Sequence, residues 1–502
     1  MRLPEPAFEK PETSVPGAVS TPSAGRILQP GRNCWRISRA AKAAVMSDGG
    51  PYFAHLEDAL RQAKRSVMIV GWDFDGRIRL RPDASPEESP ELGPLLRSLV
   101  EARPELEIRI LVWSVAVLHA PGAPLPLLFG AEWQEHPRIT LKLDTRHPLY
   151  AAHHQKIVCI DGGLAFVGGI DLTVRRWDRH PHVADDPVRV QPDGTPYSPV
   201  HDVQMAVQGA AARDVCALAS RRWHDATGED LPDPSGPDDI WPRGLSADFT
   251  DTPVAIVRTA PPWNEEPPVN EAAILAVDAL KAARKTIYIE AQYMTAAYIG
   301  DVLVESLRQE TGPEIVVLMT HESRGLLERL LMGRNRDHLI RRMKRADRHG
   351  RLLVSYPLVP KADGSEQQVL VHSKLIMVDD VFLRVGSSNL NNRSFGLDTE
   401  CDLAIEATTD AERATILRIR DALLAEHLGV DPQTVTTATA ETGSVIGAVN
   451  SLNTGPCRLC PFEAMSGEGP TRPVFGTRLL DPKKPFEPLW FLRRRKLRRR
   501  FN

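Results

Sequence analysis

Cysteine is scarce: six in 502 residues, too few and too scattered for a disulfide scaffold. Cys457 and Cys460 form a lone CxxC with no second pair and no histidine at ligand spacing, which argues against a zinc ribbon. No apolar run approaches the roughly 18 residues a membrane helix needs. The nearest stretch, Ile108 to Gly130, is interrupted by Arg109, His119, Pro121, Pro124 and Pro126, and reads as a buried strand followed by a loop. The N-terminus has no apolar segment suited to a secretory signal. A cytoplasmic or membrane-peripheral protein is expected, secretion without a recognisable signal remaining compatible. Positive charge is also missing where a nucleic-acid binder would need it. Lys483 to Asn502 carries nine Lys or Arg against Glu487, or +8, while the whole chain is −3, which leaves −11 on the other 482 residues. An acidic body of this kind lacks the basic groove of a general nucleic-acid binder, so no nucleic-acid partner is expected.

At 42% hydrophobic and 25% charged, the composition is globular, with length for two or three domains. Residues 1–30, rich in Pro, Ser, Thr and Gly, are expected to be disordered. Beyond them the chain repeats itself. Glu57-Asp-Ala-Leu-Arg-Gln-Ala-Lys-Arg-Ser-Val-Met-Ile is matched 220 residues later by Val277-Asp-Ala-Leu-Lys-Ala-Ala-Arg-Lys-Thr-Ile-Tyr-Ile. Each copy reads as an amphipathic helix entering a β-branched strand. A second strand follows each, Leu106 to Trp113 and Glu314 to Thr320. The expected fold is therefore α/β, built twice, over 31–245 and 246–430, with Asp230 to Pro242 as the joint. Residues 431–502 read as a low-complexity segment and a basic tail.

The repeat ends in chemistry. Ala151-Ala-His-His-Gln-Lys-Ile-Val-Cys-Ile-Asp161 and Leu370-Val-His-Ser-Lys-Leu-Ile-Met-Val-Asp379 both contain His-x-Lys-x-x-x-x-Asp, 218 residues apart. Within a strand, His154 with Lys156, and His372 with Lys374, would share a face. Burying an imidazole beside an ammonium is costly unless an anion compensates, which disfavours reading the histidines as ordinary core residues. One such motif arises by chance in roughly one chain of this length in thirty. Two, at equivalent places in an independently detected repeat, are specific. If the halves pack about a pseudo-twofold axis, both pairs converge on one pocket. Two lysines would neutralise a phosphodiester and two imidazoles would divide nucleophilic from acid–base work, so no metal or cofactor is called for.

Gly168-Gly-Ile-Asp171 and Gly386-Ser-Ser-Asn389 each begin seven residues after a motif aspartate. Here the chain resembles the phospholipase D superfamily, closest to its eukaryotic-type members and their bacterial relatives. Ile287-Tyr-Ile-Glu-Ala-Gln-Tyr293, His201-Asp-Val and Arg222-Trp223 carry the likeness further, from about Cys34 to Val430. The resemblance implies two α/β/α sandwiches sharing one active site and a phosphohistidine intermediate. It makes His154 the nucleophile, His372 the general acid and base, and Lys156, Lys374, Asp161 and Asp379 the rest of the catalytic motifs. Asn389, Ser387 and Asp171 would contact substrate, although Gly168-Gly-Ile-Asp171 departs from the superfamily's Gly-Ser-x-Asn. Asp202 and Glu400 match the downstream carboxylates that orient each histidine. It further implies a monomer acting on a phospholipid, by hydrolysis or transfer to an alcohol; a cardiolipin synthase and a nuclease are the alternatives. The lipid- or calcium-binding modules that precede this core in plants and animals are not expected here, nor is the calcium or phosphoinositide control they bring.

Two lesser signals remain. Trp72-Asp-Phe-Asp75 fits either the pocket mouth or the core. The basic tail, with Trp490 and Phe491, could dock on an anionic membrane surface, each basic residue contributing about 1 kcal/mol.

Overall fold

The computed structural model describes residues 25–114, 130–148, 150–232, 239–263, 265–322, 333–471 and 481–482. Among the described residues, each half is built on a mixed sheet with seven principal strands. The first contains β1 (Arg36–Ser47), β2 (Ser66–Gly71), β3 (Glu107–Trp113), β4 (Ile139–Asp144), β5 (Ile157–Ile160), β6 (Leu164–Gly168) and β7 (Val203–Gly209). The second contains β8 (Phe249–Ala260), β9 (Thr286–Ala291), β10 (Glu314–Met319), β11 (Leu352–Pro360), β12 (Lys374–Val378), β13 (Phe382–Gly386) and β14 (Glu400–Glu406).

The pairing order is 4-3-2-5-6-7-1 and 11-10-9-12-13-14-8, the same path twice. β1 and β8 then pair antiparallel, Arg36 opposite Ile256 through Ala43 opposite Phe249, and make the two sheets continuous. β2–β4 and β9–β11 run parallel, and helices Leu92–Ala102, Ala297–Arg308 and Arg334–Ala346 lie in the β2–β3, β9–β10 and β10–β11 connections. Burial on both faces explains their unbroken apolar runs, Val67-Met-Ile-Val70 and Ile315-Val-Val-Leu-Met319.

Helices cover the sheets on both sides. α1 (Gly49–Gln62) and α2 (Leu92–Ala102) pack Phe53, Leu56, Leu60 and Leu96 against Ile69 and Ile108 on the outer face of the first half. α4 (Glu271–Ala282), α5 (Ala297–Arg308) and α6 (Arg334–Ala346) do the same for the second, through Leu275, Leu303 and Leu339. Between the halves lies a third core. There α3 (Ala210–Thr227) and α7 (Asp410–Leu428) bury Val215, Trp223, Leu423 and Leu424 with Val70, Met205, Leu318 and Leu403. Each half is thus an α/β/α unit and the halves share an interior. The repeated helix–strand units fall at equivalent places, α1–β2 and α4–β9.

Both segments expected to lack structure depart from that reading in part. Residues 1–24 lie outside the described residues, but Ile27 and Leu28 are buried and donate their amides to Glu406, each at 3.0 Å. After 430, α8 (Pro432–Thr442) and α9 (Val445–Leu452) bury Val435, Val445 and Val449 in the shared core, and Arg458–Pro461 pairs with β11. The caps explain why this Thr- and Ala-rich stretch is ordered. Asp431 accepts from the Gln433 amide ahead of Pro432, Gly443 ends α8 at φ 64°, and Ser444 accepts from the Gly447 amide. The basic tail from Lys483 lies outside the described residues.

Candidate active site

Register fixes which end of each sheet carries the chemistry. β2 and β5 run antiparallel, with Val67 opposite Ile160 and Val70 opposite Ile157. His154-Gln-Lys156 therefore emerges at the carboxyl end of β2, and Asp161 at its amino end. β9 and β12 repeat this, with Lys374 opposite Ala291 and Val378 opposite Ile287. Neither histidine lies in its regular strand, since β5 begins at Ile157 and β12 at Lys374. Their backbones bond instead to the other half. The His154 amide donates to the Thr399 carbonyl at 2.9 Å, and Thr399 donates back to Ala152. The His372 amide donates to the His201 carbonyl at 2.7 Å, extending a parallel pair between Val200–His201 and Leu370–Val371.

The carboxylates cross over. His154 Nδ1 lies 2.9 Å from Glu400 Oε2, and His372 Nδ1 lies 2.6 Å from Asp202 Oδ2. Each histidine is thus oriented by the carboxylate that follows the other half's motif. Such a contact fixes the imidazole tautomer and leaves Nε2 for chemistry. Neither dyad exists without both halves.

The lysines are buried beside them. Lys156 Nζ donates to the His154 carbonyl at 2.9 Å and pairs with Asp171 Oδ2 at 3.1 Å. Lys374 Nζ donates to the His372 carbonyl and to Gln292 Oε1, the latter at 3.2 Å. Burial pushes the Lys374 ammonium down to about 7, with Lys156 and Arg176 adding to the shift and Asp202 opposing it. Burial, then the neighbouring lysines, also hold His154 and His372 well below the usual imidazole range, so both rest neutral. Burial raises Glu400 to about 8, against the Ser387 hydroxyl that donates to it. Asn389 is buried and its Oδ1 has no hydrogen-bond partner. Two imidazoles and two ammonium groups make a site for a singly charged anion.

Four expected roles change. Asp161 and Asp379 do not face the pocket. Asp161 accepts the amides of Lys64, Arg65 and Ser66, and Asp379 those of Arg284, Lys285 and Thr286, tying each motif to the turn before β2 or β9. Ser387 is fully buried, donates to Glu400 and accepts the Cys401 amide, so it holds the orienting carboxylate rather than substrate. Asp171 accepts the Trp72 amide at 2.9 Å while pairing with Lys156, so it positions that lysine. The Trp72 segment divides, with Phe74 in the core and Trp72 half-buried against Trp113. Sequence reasoning did not single out Gln292 as a lysine partner, although the residue lies in the quoted Ile287–Tyr293 segment. It also missed Asp398, which accepts the Ala152 amide and the Arg393 guanidinium and so places residues 152–154. Among the described residues, groups of His, Asp and Glu close enough to share a cation occur behind the pocket rather than among the motif residues.

Residues 276–416 match the family model described as "Cardiolipin synthase, PLD-like domain". Phospholipase D A of Dictyostelium discoideum is 24% identical over 473 residues, 77% of this chain and 35% of that protein. Phospholipase D1 of Schizosaccharomyces pombe is 22% identical, over 77% of this chain and 35% of its own. Phospholipase D alpha 1 of Vigna unguiculata is 23% identical, over 77% and 65%. The chain thus spans about a third of the first two relatives. A phosphatidylserine synthase from Haemophilus influenzae Rd KW20 shares the fold, with a TM-score of 0.52 at 11% identity over 81% of this chain and 94% of that one. With two motifs joined in one crossed site, a matching family model and these relatives, the chain belongs to the phospholipase D superfamily.

Proposed function

We propose that the protein is a phospholipase D, hydrolysing the distal phosphodiester of a glycerophospholipid to phosphatidic acid and a free alcohol. The pair of crossed histidine–carboxylate dyads beside two buried lysines carries this reading. His154 Nε2 attacks phosphorus and forms a P–N bond while the P–O bond to the head group breaks. The departing oxygen takes a proton from His372, which the anionic substrate has allowed to charge. A water then gives a proton to His372, its oxygen attacks phosphorus, and the P–N bond breaks to restore His154. Lys156, Lys374 and Asn389 hold the phosphoryl oxygens through both steps.

The relatives' names support a phospholipid substrate, and the acidic body disfavours a nuclease, which depends on many phosphate contacts. The family model's description favours one second reading, a phosphatidyl transfer in which an alcohol replaces water. Mass spectrometry of products from mixed phospholipid vesicles with ethanol tests both. Phosphatidic acid with phosphatidylethanol is expected; diacylglycerol, lysolipid or no lipid product contradicts the reading.

A further inference from the structure

Behind the pocket, where the segment carrying Asp202 meets the second half, four potential ligands converge. Asp48 lies in the turn before α1, His182 in the loop after β6, His201 in the short strand before Asp202, and Glu426 in α7. One donor atom from each falls within 4.8 Å of all the others. His201 Nδ1 is 2.7 Å from Glu426 Oε1 and 3.1 Å from Asp48 Oδ1. His182 Nε2 is 2.9 Å from the same Glu426 oxygen and 3.6 Å from Asp48 Oδ2. Ligands about 2.0–2.2 Å from a tetrahedral zinc ion stand roughly 3.3 Å apart, inside this range. Asp48, His182 and His201 are no more than 2% exposed.

A second observation concerns the outer ring nitrogens. His182 Nδ1 lies 3.0 Å from Asp178, itself bound by Arg189, and His201 Nε2 lies 2.8 Å from Glu290, itself bound by Tyr288 and His427. An imidazole that donates its outer proton to a carboxylate presents a lone pair on the inner nitrogen, the form in which histidine binds metals. Both inner nitrogens face the same two carboxylates, so in a dry interior the cluster needs either a proton on each imidazole or one cation held between the four groups. One divalent ion supplies the charge that two extra protons would.

We propose that Asp48, His182, His201 and Glu426 form a closed, structural site for a divalent transition metal. Two imidazole nitrogens, carboxylate oxygens and no thiolate fit zinc best. The ion would take no part in chemistry. Through His201 and Glu426 it would clamp the segment before Asp202 to α7, where the Asp48 amide donates to the Asp202 carbonyl and the His372 amide to the His201 carbonyl, both at 2.7 Å.

The test is metal analysis of the full-length protein, purified without chelator from cells supplied with zinc, manganese, iron and calcium. About one zinc per chain is expected, with X-ray absorption showing nitrogen and oxygen ligands and imidazole scattering, and loss of the metal in His182→Ala. Protein unfolded and refolded in chelator should melt several degrees lower and recover with zinc sulfate. Two results would overturn the site: no stoichiometric divalent metal in the wild-type protein together with a melting temperature indifferent to zinc, or a metal that His182→Ala retains. The wild-type measurement decides even if the variant does not fold.

Discussion

Asp161 and Asp379 sit at φ 50° and 51°, in the left-handed region that aspartate tolerates better than most residues, and each collects three backbone amides. Their equal spacing from the two catalytic pairs is thus the length of one strand. Asp161→Ala should cost about 1–3 kcal/mol of stability, because three backbone amides lose a buried charged acceptor. Denaturant titration should show this, while kcat of the folded fraction stays within a few-fold of wild type. The orienting carboxylates should behave differently. Asp202→Asn and Glu400→Gln should each lower kcat by about 10- to 100-fold with little loss of stability. Because the dyads are crossed, rapid-quench kinetics should show the Glu400 variant slow in the first step. With a p-nitrophenol leaving group, which needs no proton from His372, the Asp202 variant should stall with phosphohistidine accumulated. Lys374 adds a pH signature. Its ammonium, depressed to about 7, is present below that value and lost above it. Thus kcat/KM for the free enzyme should fall as pH rises through about 7, and Lys374→Arg should move that limb upward. An unchanged limb would assign it to another group. The residue types of this site were legible in the sequence because two rare motifs recurred. The orienting carboxylates were named too, but not which histidine each serves: Glu400 and Asp202 reach theirs across 246 and 170 residues. Spacing along one strand cannot express such a pairing.

At the scale of elements, the paired α1–β2 and α4–β9 units were readable because long amphipathic helices and β-branched strands carry strong periodicity. The helices after 430 were not, since α8 buries only Val435 and Ala438 and α9 only Val445, Ala448 and Val449. Their caps, Asp431-Pro432, Gly443 and Ser444, were the available signal. Those caps are testable. Ser444→Ala removes the acceptor of the Gly447 amide, and its own hydroxyl bonds Glu314, so a loss of about 1 kcal/mol is expected in chemical denaturation. Deleting everything after 430 should be far worse, because Arg458–Pro461 would leave β11 and the shared core would lose Val435, Val445, Val449 and Leu459.

For the whole molecule, the two halves are joined by β1–β8, by the shared core around α3 and α7, and by both dyads. Catalytic competence and the half-to-half interface are therefore one property. The chain's remaining asymmetry is electrostatic. An acidic body is repelled by an anionic membrane, and we propose that Lys483 to Asn502 delivers it there. Removing that segment should weaken binding to anionic vesicles, most at low salt, and leave turnover of a soluble short-chain phosphodiester intact. Equal vesicle binding by the truncated protein would give the tail another purpose. The claim on which everything rests is that His154 and His372 serve one site with divided roles. It is tested most directly by His372→Ala with a radiolabelled phosphatidyl-p-nitrophenol, whose leaving group needs no proton. A burst of one nitrophenol per chain followed by a stall, with acid-labile label mapped to His154, is the predicted result. Steady turnover, or label on any residue other than His154, would contradict the account.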